Sequence, residues 1–319
     1  MVNPLRPVIL AAAGSPRMKR VLTGTPVTAD IVRRFVAGED RSQLSPVAEE
    51  LLGSGRMISV DFLGENTTDR AHADATVAEY LSLIKDLAAL PRPGLAGTEA
   101  APVEVSVKLS ALGQALPVAG PAVATENLRA LCVAAAAAGV WVTVDAEDHT
   151  TTDATLATVR ALRPEFPWLG TVLQAYLRRT EADCAEFAGP GSRVRLCKGA
   201  YREPQRVAFQ HAREVTDSYL RCLETLMRGQ GYPMVASHDP VAIVAAEAMA
   251  VESGRAAHAF EYQMLFGVRD AEQRRLTDAG YGMRVYIPYG EEWYGYLTRR
   301  LAERPANLTF FLRALVNRG

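Results

Sequence analysis

An α/β fold of the (β/α)8 barrel class is what the sequence predicts, on three observations. Short β-branched runs alternate with longer Ala/Leu/Arg/Glu-rich stretches of helical period, about eight such units are present, and their starts fall about 20 to 50 residues apart, the rhythm of parallel strands joined by helices. The length of 319 residues and a hydrophobic content of 49% suit one barrel with a large core. A doubly wound sheet is the alternative, but no G-x-G-x-x-G follows the first strand, so a dinucleotide fingerprint of that fold is missing.

The elements follow in order. Residues 1–55 read as an N-terminal helical segment, with helical pattern in "TADIVRRFV" and "SPVAEELLG", and residues 56–319 as the barrel domain. Strands are expected in "MISVDFL", "VEVSVKLS", "VWVTVDAED", "TVLQAYL", "VRLCKGAY", "MVASHD", "AFEYQML" and "MRVYIPY". The Pro- and Gly-rich stretch "PRPGLAGTEAAP" is a loop between the first and second units, and no linker or internal repeat divides the chain.

Strand parity assigns faces. In "VEVSVKL", Val103, Val105, Val107 and Leu109 share one face and must meet the helices, so Glu104, Ser106 and Lys108 point into the barrel. The same rule turns Asp145, Gln174, Arg193, Arg195, Arg284 and Tyr286 inward. Glu104, Arg193, Glu261 and Arg284 come early in their strands and are expected to form a buried network of compensated charges. Lys108, Asp145, Gln174, Arg195 and Tyr286 come at the carboxyl ends, where barrel enzymes carry their chemistry.

Composition removes several functions. A net charge of −1 and the absence of a basic run give no field for nucleic acid or an anionic membrane. Four scattered cysteines form no C-x-x-C pair, which argues against a disulfide framework or a zinc site and for a reducing cytoplasm. The run "VILAAAG" is too short, and too close to Pro4 and Pro7, for a secretory signal, and no apolar run is long enough to span a bilayer. His238 has no histidine partner at metal-binding spacing. Of the 35 basic residues, only Lys19, Lys85, Lys108 and Lys198 are lysine, which draws attention to Lys108 inside an apolar strand. Two chemistries stay open at this rim: Lys108 as a Schiff-base nucleophile in an aldolase, or cations holding an anionic ligand. "LCKGAYRE" places Gly199 and Ala200 beside Lys198, and "ASHDP" opens a helix with Ser237, His238 and Asp239, so two neighbouring strand ends together look like a phosphate seat. A barrel that binds a small acid without turning it over is the non-enzymatic alternative.

The ordered set "VSVKLSAL", "VDAED", "LQAYLRRT", "VRLCKGAY", "ASHDP", "FEYQML" and "RVYIPYGEEWYGYLTRRLAERPAN" resembles the proline dehydrogenases, from about residue 30 to the helix containing Asn307. The resemblance implies a distorted (β/α)8 barrel with a final helix across its mouth. It also implies noncovalent FAD over the carboxyl ends of the strands and oxidation of L-proline to Δ1-pyrroline-5-carboxylate by hydride transfer from C5 to flavin N5. By the same resemblance Arg299 and Arg300 clamp the substrate carboxylate, a task suited to planar forks, and Lys108 adds a third cation. Tyr201, Leu265, Tyr286 and Tyr296 pack around the pyrrolidine ring with Leu196 near them. Asp145 and Arg195 correspond to the catalytic pair, Arg195 near flavin N5. Gln174 bonds the pyrimidine edge, Ala146 and the segment Lys198, Gly199, Ala200 permit close cofactor approach, Ser237 and His238 contact the pyrophosphate, and Glu303 reaches a flavin hydroxyl. Ser237 stands where threonine is common and Cys197 where an aliphatic residue is usual, and "HAREVTDSYL" matches only loosely. The implied context is a monofunctional enzyme, cytoplasmic or peripheral at the inner membrane face, passing electrons to a quinone and its product to a separate pyrroline-5-carboxylate dehydrogenase.

Overall fold

Eight parallel strands close edge to edge, each paired with the next and the last with the first, so the sheet keeps no free edge. The computed structural model describes residues 32–91 and 100–296. The strands are β1 (Met57–Phe62), β2 (Val103–Val107), β3 (Trp141–Val144), β4 (Gly170–Gln174), β5 (Arg193–Cys197), β6 (Tyr232–Ala236), β7 (Glu261–Leu265) and β8 (Gly282–Tyr289). Each falls on or within a few residues of a run where the sequence pattern places a strand.

Helix α1 (Arg41–Gly53) precedes the barrel. The others follow the strands in turn: α2 (Arg70–Ala88), α3 (Gly120–Ala138), α4 (Thr152–Leu162), α5 (Thr180–Phe187), α6 (Ala212–Arg228), α7 (Pro240–Ser253) and α8 (Asp270–Asp278). Their starts have chemical causes. Asp40 caps α1 by accepting from Gln43 N at 3.0 Å, Asp69 caps α2 from Ala71 N at 2.7 Å, and Asp239 caps α7 from Val241 N at 3.0 Å with Pro240 just behind it. The first helix therefore begins one turn earlier than the pattern in "SPVAEELLG" suggests, with Pro46 inside it.

Two layers separate as parity requires. Val103, Val105, Val107 and Leu109 are fully buried against the helices, and each such side chain contributes about 1.5–3 kcal/mol. Inside the barrel lies a charged layer. Arg284 forms a two-bond fork on Glu261, at 2.6 and 2.9 Å, and also donates to Ile58 O and Ala101 O, both at 3.0 Å. Arg193 bonds Glu104 and Trp168 O and lies 3.8 Å from the centre of the Trp141 ring. Burial works against the Glu104 carboxylate, but Arg193, Arg284 and Arg195 outweigh it and hold the group far below the usual carboxylate range.

Candidate active site

The mouth is built from residues at and just past the carboxyl ends of the strands. Lys108 and Asp145 each stand one residue beyond their strands, β2 and β3. Lys108 Nζ donates to both oxygens of Asp61 on β1, at 2.8 and 2.7 Å, and lies 3.7 Å from Asp145 Oδ2. Burial alone would pull the Lys108 ammonium down; Asp61 and Asp145 outweigh it and hold it above the usual lysine range. Burial likewise pushes the Asp61 carboxyl up, and Lys108 offsets part of that. An ammonium bonded to both oxygens of a carboxylate is a poor nucleophile, so the Schiff-base aldolase is not favoured.

Asp145 receives three donors. Ser106 Oγ at 2.8 Å and Arg195 Nη1 at 2.7 Å reach Oδ1, and Tyr286 Oη at 2.8 Å reaches Oδ2. Burial, followed by the Asp145 charge, raises the Tyr286 phenol far above its usual range, so it remains a donor. Arg195 is the hub of the interior. Its Nε bonds Gln263 Oε1 at 2.6 Å; Nη1 also bonds Ser106 Oγ at 2.7 Å; Nη2 bonds Ser59 Oγ at 3.0 Å and Glu104 Oε1 at 2.6 Å. A guanidinium has five N–H groups, and these five contacts use them all. The rim and the buried network, which sequence had kept apart, are thus one system joined through Arg195. In it four cations (Lys108, Arg193, Arg195, Arg284) face four carboxylates (Asp61, Glu104, Asp145, Glu261), a formal balance of zero.

A cavity of about 700 Å³ opens above these groups, a size usual for cofactor and substrate pockets. Lys108, Asp145, Gln174, Arg195 and Tyr286 line it, and so do Ala146, Lys198, Gly199, Ala200, Tyr201, Ser237, His238, Leu265 and Tyr296. Arg299, Arg300 and Glu303, with the remainder of the helix expected across the mouth, lie outside the described residues. Gln174 Nε2 donates to Glu147 O at 2.8 Å, which fixes the amide's orientation at the cavity wall. At one side Lys198 Nζ bonds Asp239 Oδ2 at 2.6 Å and Thr216 Oγ1 of α6 at 2.9 Å. His238 Nε2 accepts from Leu265 N at 3.0 Å, and Arg269 Nη1 donates to His238 O at 2.7 Å. The segment that opens α7 is therefore pinned from β7 and from the turn before α8.

Some expectations need correction. Leu196 does not face the cavity: it alternates with Arg195 and Cys197 and is buried in the helix-facing core, as its own parity demands. Gly199 has a reason to be small besides close ligand approach. Its φ is +102°, and a Cβ there would meet the Tyr176 ring at 2.2 Å, so both its backbone and its neighbour require glycine. Lys108 is not a bare third cation, because Asp61 already balances it. Sequence reading missed Ser59, Asp61 and Gln263; all three obey the parity that revealed Glu104 and Lys108. Glu203 was missed as well. It accepts from His149 N at 2.9 Å and lies 3.4 Å from Tyr176 Oη, tying the loop that carries Tyr201 to the loop after β3.

A closed barrel with ionisable side chains and a cavity at the carboxyl ends of its strands has the architecture of the barrel enzymes, with room for a substrate and a cofactor. Comparison with known proteins agrees. The family described as proline dehydrogenase matches residues 46–313, and the chain belongs to that family. Proline dehydrogenase 1 of Bacillus subtilis (strain 168) is 36% identical over 287 residues, 90% of this chain and 91% of its own. Proline dehydrogenase of Deinococcus radiodurans is 33% identical over 321 residues, 99% of each chain. The crystal structure of proline utilization A (PutA) from Bdellovibrio bacteriovorus inactivated by N-propargylglycine matches with a TM-score of 0.77 at 27% identity, over 92% of this chain and 36% of that one, so this chain spans about a third of that protein.

Proposed function

We propose that the chain oxidises L-proline to Δ1-pyrroline-5-carboxylate in this cavity, with FAD held noncovalently over the carboxyl ends of the strands. The observation that carries the reading is convergence. Apart from Leu196, every expected substrate, cofactor or catalytic residue within the described part of the chain borders the same cavity.

The residues present fit a flavin dinucleotide. The cavity has the necessary volume, Gln174 offers an amide of fixed orientation, and Lys198 sits part-exposed beside the start of α7, where helix N–H groups favour phosphate. Asp239 already balances Lys198, so this pair supplies orientation more than net charge. FAD bound there would accept a hydride from the ring carbon next to nitrogen. The chain's own task is placement. Arg299 and Arg300 grip the substrate carboxylate in this reading, and Lys108, with two N–H groups on Asp61, has a third to offer. Tyr201, Leu265, Tyr286 and Tyr296 enclose the ring and exclude water. Asp145 holds Tyr286 and Arg195 in register, and Arg195, with every N–H engaged, supplies fixed positive charge beside the reacting ring rather than a hydrogen bond.

The electrons pass to a quinone and the product to a separate pyrroline-5-carboxylate dehydrogenase in the same proposal. Among the described residues no helix is long and apolar enough to cross a membrane, and no group of side chains could hold a metal ion. The test is turnover with L-proline and a dye acceptor: dye reduction that requires both proline and FAD supports the assignment, and binding of proline without dye reduction favours the small-acid-binding barrel instead.

A further inference from the structure

Asp61 is not among the residues expected to touch substrate or cofactor, yet it is only 1% exposed, borders the cavity and holds Lys108 with both oxygens. We propose that Asp61 is a positioning residue: it fixes Lys108 Nζ at the seam between β1 and β2 and supplies its counter-charge, so that a held N–H meets the substrate carboxylate. This inference rests on the proline-oxidising reading of the cavity.

The neighbours of Lys108 leave this task to Asp61. Asp145, from the end of β3, stands 3.7 Å away, and its oxygens already serve Ser106, Arg195 and Tyr286. Tyr286 of β8 also faces Asp61, while Tyr201 after β5 and Glu147 after β3 exert weaker fields on or from the lysine. A lysine stem is long and flexible, and its ammonium loses its position when its closest partner among the described residues is removed. Without that carboxylate, burial is opposed mainly by Asp145, and the proton leaves Lys108 at lower pH.

Cyclopentanecarboxylate is the probe. It keeps proline's ring and carboxylate, has no ring nitrogen to oxidise, and does not titrate in alkaline solution; arginines stay charged throughout. A loss of affinity as pH rises therefore reports a group of the protein, and the Lys108→Met background shows whether that group is Lys108. The measurement is its inhibition constant against proline oxidation by the flavin-loaded full chain, from about pH 7 to about pH 10. The parent is expected to give a flat profile. Asp61→Asn is expected to bind more weakly and to lose about another tenfold as Lys108 deprotonates within this range. In a Lys108→Met background, Asp61→Asn is expected to add less than about a twofold change and no alkaline limb, because the two residues act as a unit. A flat Asp61→Asn profile at the parent's affinity overturns the proposal, as does an equal effect with Lys108 removed. Should Asp61→Asn fail to fold, Asp61→Glu carries the test: it keeps the charge but moves it, so several-fold weaker inhibition with a flat profile is expected, and an unchanged constant overturns the proposal. A parent that does not oxidise proline overturns the functional reading and this inference with it; a parent that does, with Asp61→Asn unaffected, overturns only the inference.

Discussion

Replacing Glu104 with glutamine removes one charge from the centre of the barrel and leaves the shape almost intact. Glu104 is fully buried and accepts from Ser59, Arg193 and Arg195. The amide keeps one acceptor oxygen and turns its NH2 toward guanidinium donors, so two buried arginines lose their shared counter-charge. Removing one partner from such a network costs about 3–5 kcal/mol. For a chain of 319 residues that corresponds to a fall of roughly 4–8 °C in Tm. The effect must depend on pH in a defined sense. Against the pull of burial, the three arginines hold the folded carboxyl below a glutamate's ordinary 4.5. Its contribution is therefore complete above the unfolded value and is lost as pH falls through the folded one. Thermal melts of parent and Glu104→Gln, taken from neutral pH downward, should differ most near neutrality and converge on acidification. A Tm change under about 2 °C, or a gap that does not narrow in acid, would refute the network's assigned role. Because Arg195 links Glu104 to the cavity, kcat for proline should fall in the same variant at temperatures where it is folded.

Gly199→Ala should cost roughly 1–3 kcal/mol and lower the flavin-to-protein ratio, since φ is +102° and the new Cβ meets the Tyr176 ring; a normal melt with full flavin content would contradict this. Tyr286→Phe removes the 2.8 Å donor to Asp145 and should reduce kcat/KM for proline by about 10- to 100-fold with the fold intact, whereas a change within twofold would detach the hydroxyl from the reaction. Arg299→Lys should raise KM for proline by about tenfold or more because a point charge cannot reproduce a guanidinium fork, and an unaltered KM would remove Arg299 from the carboxylate clamp.

Alternation made most of the barrel legible. One strand, "VEVSVKL", separates a helix-facing valine row from Glu104, Ser106 and Lys108, and the same rule placed Arg193, Arg195, Arg284 and Tyr286. The rule also marked Ser59 and Asp61 in "MISVDFL" and Gln263 in "EYQML", but these residues drew no notice because each matters through a partner on another strand, a pairing that only the closed sheet reveals. Leu196 went astray where a role carried by resemblance was allowed to override parity. Gly199 could not be explained from sequence, because the ring that occupies its missing Cβ belongs to Tyr176, past the end of β4. Five engaged N–H groups on Arg195 of β5 are likewise a property of closure, which brings to it partners from β1, β2, β7 and the end of β3. The start of α1 was hidden by Pro46, behind which the helix continues back to its Asp40 cap.

Anaerobic titration of the purified, FAD-loaded protein with L-proline puts the central claim to its most direct trial. The account predicts that the visible flavin band bleaches with one equivalent of cyclic imine formed per flavin. A band that persists under saturating proline, or a protein that retains no flavin at all, would contradict it.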